Sequence, residues 1–313
     1  MADDDNQPAF DDADQLGNFL NDTKSFDKVR KSSIADARTA VEAFRNDGNG
    51  GAWPSLDKNT IADRLLELIG PESSDVADQP DSAGRLIQQG AMNLCGPAAF
   101  FQFVIKRDPV AFANFAGALY ATGTASLGSL TVTPGDDIRN ADYATFLERM
   151  GGSVCPQADW MVMGALRNAT NAFWTGSFQG SPDESLAAGT RPGELADWLT
   201  QTGLYANVLD EANWMQSAGV PHATNLPTVA GTDVAALINA NLIRAARNLP
   251  PSGSWPLTDF PNHWVIVLGE TSVDVTKDAV FFNIWTWGEA KILEVPTQAF
   301  IDNYYGAITC TSA

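Results

Sequence analysis

Cysteine is scarce: Cys95, Cys155 and Cys310 are the only three in 313 residues. So low a count excludes a disulfide scaffold, and an odd one leaves at least one thiol free in a monomer. Cys155 and Cys310 could pair, but their spacing does not demand it. Histidine is scarcer still, His222 and His263 alone. No four Cys or His residues have the spacing of structural zinc, so no metal or cofactor is expected. Basic residues are few: 19 Lys and Arg face 38 Asp and Glu, for a net charge of −19 and a pI near 4.3. Nucleic-acid binders present a basic face, so DNA and RNA are not expected partners. No apolar run reaches the ~18 residues of a membrane span. No glycine-rich phosphate loop is followed by Lys-Ser/Thr. The N-terminus is acidic and polar, with no secretory signal peptide. The simplest account is synthesis in a cytoplasm, with export by a specialised secretion system that needs no cleavable signal left open.

What is present is a globular composition, 44% hydrophobic and 18% charged. Residues 1 to about 15 carry six Asp and read as a self-repelling tail. Lys28 to Phe44 and Thr60 to Ile69 read as amphipathic helices, Thr60 as the N-cap of the second. Residues 71 to 84 are loop-like, which sets a soft boundary between an N-terminal region, 1–84, and a second unit, 85–313. Helices follow over Ala98 to Ile105, Val110 to Ala121, Tyr143 to Met150, Ala158 to Phe173 and Pro192 to Thr200. Strands are expected at Leu127 to Val132 and Leu204 to Leu209. Val234 to Ala246 fits helix or strand. After a Pro/Ser/Gly-rich loop, strands are expected at His263 to Gly269, Ser272 to Val275, Ala279 to Trp287 and Lys291 to Val295. A helix, Thr297 to Tyr305, closes the chain. Helices first and an antiparallel meander afterwards make an α+β fold.

The chain is organised around Gln89-Gly90-Ala91-Met92-Asn93-Leu94-Cys95-Gly96-Pro97-Ala98. Pro97 suits the first turn of a helix, which places Cys95 at the helix N-terminus among unpaired N–H groups. That end of the dipole favours thiolate. Gln89, six residues upstream, can return its amide to an oxyanion formed at the sulfur, and Gln88 competes with it for that place. His263 opens one β-rich run and Asn283 lies in the next. Cys, His and Asn in that order suit a nucleophile, its base and the group that orients the base. His222 is the competing base, in a loop without a following strand. Trp264 is a candidate groove residue, and Trp285 a shield for the His–Asn hydrogen bond or a core aromatic.

These islands resemble the papain-like cysteine peptidases. Gln89-Gly90 with Cys95 is similar to their nucleophile loop, and Asn283-x-Trp285 is similar to their Asn-Ser-Trp. Cys95-Gly96-Pro97-Ala98 and His263-Trp264-Val265 are closer to the bacterial double-glycine-leader peptidases, although the gap between Cys95 and His263 is longer and Asn283 stands where those peptidases carry Asp. The resemblance covers three short stretches between residues 89 and 288. It implies a papain-like fold over 85–313 and a thioester mechanism carried by Cys95, His263, Asn283 and Gln89. A protein or peptide is the implied substrate. The acidic, signal-less chain also resembles bacterial effector and toxin peptidases, whose partners would include a cognate inhibitor or immunity protein or a secretion chaperone. A deamidase, a transglutaminase and a peptidoglycan amidase use the same residues, and a catalytically silent binding module would keep the fold alone.

Overall fold

A computed structural model describes residues 30–48, 50–70, 87–151, 154–171, 178–181, 189–251 and 260–312. The acidic tail and the stretch that holds the 84/85 boundary lie outside the described residues.

The fold is α+β, and every strand pairing is antiparallel. Two helices come first, α1 (Ile34–Asn46) and α2 (Lys58–Ile69). The N-cap of α2 is Asp57, not Thr60: its carboxylate accepts the Thr60 N–H at 2.7 Å. Next come α3 (Cys95–Arg107) and α4 (Pro109–Thr122). The single strand expected at 127–132 is a hairpin, β1 (Ala125–Leu127) and β2 (Leu130–Val132). Helices α5 (Asp136–Arg139), α6 (Tyr143–Arg149), α7 (Gln157–Thr170) and α8 (Pro192–Gln201) complete the helical part.

The large sheet is built from β3 (Tyr205–Asp210), β4 (Thr232–Ile238), β5 (His263–Val267), β6 (Ser272–Asp274), β7 (Ala279–Thr286), β8 (Glu289–Pro296) and β9 (Tyr304–Ser312). Its order is β3-β9-β4-β5-β7-β6, with β8 also paired to β7. Three short helices, α9 (Gly219–Thr224), α10 (Asn241–Ala246) and α11 (Thr297–Asn303), lie between strands. The ambiguous stretch 234–246 is therefore both things, β4 and then α10. The closing helix stops at Asn303, and the chain continues as β9, a strand between β3 and β4 that the sequence reading missed.

Alternation divides the sheet's side chains between two cores. Ala235, Leu237, Trp264, Ile266, Trp285 and Ile308 face the larger helices. Ala236, Ile238, Val265, Val267, Phe282 and Ile284 face the short helices α9, α10 and α11. Helix α3 is buried nearly all round, as its unbroken apolar sequence requires. Val41 of α1 and Leu65 of α2 belong to the same core as Phe100 and Phe101 of α3. The helices before residue 70 are thus part of the body that carries Cys95.

Gly306 shows why β9 tolerates no side chain at one point. Its φ is +96°, and a Cβ there would lie 2.3 Å from the Glu211 carbonyl oxygen. Gly306→Ala is expected to cost roughly 3 kcal/mol from backbone strain and overlap together, read as a lower midpoint in chemical denaturation.

Candidate active site

Cys95 is the first residue of α3. The N-cap position, Leu94, offers no side-chain cap, so the first N–H groups of the helix stay available. The backbone amides of Trp264, Gly96 and Cys95 itself pull the thiol pKa down. Burial opposes them and prevails, so the thiol lies above its ordinary pKa. The expectation that the helix N-terminus alone would favour thiolate is therefore corrected: with the side chain only 8% exposed, desolvation outweighs dipole and amides.

Gly96 has no side chain for a local reason. A Cβ there would sit 2.4 Å from the Thr190 side chain. The Thr190 carbonyl in turn accepts the Trp264 indole N–H at 2.9 Å. Cys95, Gly96, Thr190 and Trp264 form one contact group, which joins the start of α3 to the start of β5.

His263 is the first residue of β5 and is 5% exposed. It pairs with Ile238 of β4, while Trp264 pairs with Leu237 and faces α3. The His263 Nε2 lies 2.5 Å from the Thr286 hydroxyl oxygen. Its ring stacks on Trp287, centroids 4.6 Å apart and planes 22° apart. Burial alone pulls the imidazole pKa down to about 3, so the ring is neutral at pH 7. The ring and the Cys95 sulfur share no hydrogen bond. What the fold ties to the start of α3 is Trp264, the residue that follows His263, through Thr190.

Asn283 does not meet His263. The β5–β7 register places it opposite Leu268, whose N–H donates to the Asn283 carbonyl at 2.9 Å. That is five residues along β5 from His263, on the order of 17 Å at the rise of an antiparallel strand. The side chain lies against Gly269, where a Cβ would be 2.9 Å from its Nδ2. Orientation of the imidazole by Asn283 is corrected on this ground. Trp285 is a core residue on the α3 side of β7, with an indole N–H that has no partner among the described residues.

Gln88 and Gln89 both come close to this region. Gln88 packs at Gly288, the residue after Trp287: a Cβ on Gly288 would lie 3.2 Å from its Cγ. Gln89 is buried, and its Oε1 has no partner among the described residues. Their loop is pinned from behind. The Gln88 N–H donates to Asp159 Oδ2 at 2.7 Å, and Asp159 receives Arg64 of α2 through two contacts, 2.9 and 2.8 Å. The Ile87 N–H donates to Gln102 of α3 at 3.0 Å.

His222 is occupied elsewhere. Its Nδ1 lies 2.7 Å from the Tyr304 hydroxyl and its Nε2 3.6 Å from Glu211. It sits on α9, on the face of the sheet away from α3. All three cysteines are free and buried, so Cys155 and Cys310 do not pair. Burial raises both of their thiols well above the ordinary range. Among the described residues no group of Cys, His, Asp and Glu could hold a metal ion, and no helix is long and apolar enough to cross a membrane.

The residues sequence reading missed are Thr286 and Trp287. The β5–β7 register sets Thr286 opposite Val265, two residues from His263, and Asn283 opposite Leu268, five residues away. Compared with known protein families, curated proteins and solved structures, the chain matches none of them.

Proposed function

We propose that the protein is a cysteine hydrolase of papain-like type, in which Cys95 is the nucleophile, His263 its base and Gln89 a donor to the oxyanion. One observation carries this reading: Gly96, next to the nucleophile, abuts Thr190, whose carbonyl accepts the Trp264 indole N–H, so the start of β5 at His263 is tied to a thiol 168 positions earlier in the chain. A helix that starts at the nucleophile and packs on an antiparallel sheet, beside the strand that starts at the base, supports it further.

Cys95 Sγ attacks the acyl carbon while its proton passes to His263 Nδ1. The C–N bond breaks, and the same proton leaves with the amine. Water, deprotonated by His263, then adds to the thioester, the C–S bond breaks and the thiol is restored. Because burial keeps both groups neutral at rest, the proton moves as attack occurs instead of beforehand. The Cys95 N–H and the Gln89 amide are the donors to the tetrahedral oxyanion. Gln89→Ala is expected to lower kcat by about 10²–10³ with little change in KM, measured on whichever amide substrate the next experiment identifies.

That experiment expresses the wild type and Cys95→Ala in a candidate target compartment and maps new protein termini and altered side chains across the proteome. New termini that need Cys95 are the expected result. A gain of one mass unit on Gln or Asn would assign the same chemistry to side-chain amides. An effect on cells that Cys95→Ala leaves unchanged contradicts the enzyme reading.

A further inference from the structure

We propose that Thr286, not an asparagine, is the positioning residue of the His263 imidazole; this rests on the hydrolase reading above. Three observations meet at this ring. His263 Nε2 and Thr286 Oγ1 are 2.5 Å apart, and both side chains are buried. Nδ1 takes no hydrogen bond from any described residue, and on the hydrolase reading it is the nitrogen that receives the thiol proton. Trp287, the next residue, covers the ring face in a left-handed backbone conformation, φ +48°, that non-glycine residues seldom adopt. Thr286 grips one edge of the ring and Trp287 one face.

A hydroxyl suits this place in a way an amide does not. It can accept or donate by rotating about its C–O bond. When Nδ1 takes the Cys95 proton, the ring becomes a cation and Nε2–H must donate. Thr286 Oγ1 is then the acceptor, and a hydrogen bond from a charged donor is stronger than a neutral one. When the ring returns the proton, the same contact holds it in place. Among the described residues nothing bearing a full charge touches the ring, so the cation exists only while the reaction runs.

The test uses the full chain and p-nitrophenyl acetate, which acylates a reactive thiol and releases a coloured phenolate: the S–C bond forms, the C–O bond to the phenolate breaks, and the thiol proton passes to His263. Wild type, His263→Ala, Thr286→Val and Thr286→Ser are compared by the burst rate of Cys95 acylation, with melting temperatures recorded alongside. Thr286→Val is expected to acylate roughly ten-fold slower or more, the size of a lost hydrogen bond to a charged group, with the melting temperature lowered only by the few degrees that one lost buried hydrogen bond costs. Thr286→Ser is expected within about three-fold of wild type, since it restores the oxygen. Should the valine variant not fold, Thr286→Ala is read in the same way. The ring 15N resonances of His263, assigned by difference from His263→Ala, should report one fixed tautomer in the wild type and exchange between two in Thr286→Val. Wild-type acylation in Thr286→Val, with His263→Ala inactive, overturns the role of Thr286 and leaves the hydrolase reading standing. A serine variant as slow as the valine variant also overturns it. If the wild type itself shows no Cys95 adduct, or His263→Ala acylates normally, the hydrolase reading fails; the resonances then decide the placement of the ring, and an unchanged tautomer pattern in Thr286→Val overturns that as well.

Discussion

Asp159→Ala is expected to lower the unfolding free energy by about 3–5 kcal/mol, the cost of breaking a buried ion pair by removing one member. Asp159 is wholly buried on α7, and its two oxygens take the Arg64 guanidinium and the Gln88 N–H. Burial raises its pKa; the Arg64 contacts and the Gln88 N–H pull it back only in part. Removing the carboxylate takes away the buried counter-charge of Arg64; Glu67, another of its partners, lies at the surface. It also frees the loop that carries Gln88 and Gln89. Two measurements should therefore move together: the denaturation midpoint falls, and acylation of Cys95 slows although Asp159 touches no reacting atom. Asp159→Asn, which keeps the shape and one acceptor, is expected to restore part of both. A midpoint unchanged in Asp159→Ala would show that the Arg64–Asp159–Gln88 link does not hold the loop.

Below pH 6.5 the fold is expected to lose stability because His263 resists protonation. Its folded pKa, about 3, lies below the ordinary 6.5, so the unfolded chain binds the proton more readily. Stability is complete above pH 6.5 and falls as pH drops, by up to ~1.4 kcal/mol per unit. By pH 3 the loss from this one group is about 4 kcal/mol. Asp233 adds a second loss at lower pH: burial raises its pKa, but Lys106 and Arg107 overcome that and hold it below 3.8. Its contribution is present above that value and disappears as pH falls through the depressed one. The two are separable. His263→Gln cannot take up a proton and should flatten the stability curve between pH 6.5 and 4 while leaving the steeper fall below it. Parallel curves for wild type and His263→Gln would contradict the buried, neutral imidazole.

How much of this was legible in the sequence differed from element to element, for physical reasons. The helix at Cys95 was readable because Pro97 and an unbroken apolar run mark a buried helix start. The strand at His263 was readable from five consecutive apolar or aromatic positions after it. The partner of His263 was not. Between β5 and β6 the register against β7 shifts by two residues, taken up around Gly269 to Thr271. Nothing in those residues announces the shift, and without it the opposing position cannot be counted. Asn283 was chosen by residue type, whereas the backbone brings a threonine. Strand β9 was missed because Thr297 to Tyr305 has helical spacing, and the chain turns extended only at Tyr304. The thiol's pKa was misjudged because a helix N-terminus is visible in sequence and the burial that outweighs it is not. The ion pair from Arg64 to Asp159 spans 95 positions, and no local pattern marks it.

Whether Cys95 is the chemically competent thiol is decided by treating the native protein with a limiting amount of iodoacetamide and mapping the modified peptides over time. Burial raises the Cys155 and Cys310 thiols strongly, whereas Cys95 is slightly open and neighbouring backbone amides offset part of its burial. Cys95 should be alkylated first, faster with rising pH through and beyond pH 9, with the other two untouched until the protein unfolds. Early modification of Cys155 or Cys310 while Cys95 stays inert would contradict the assignment of Cys95.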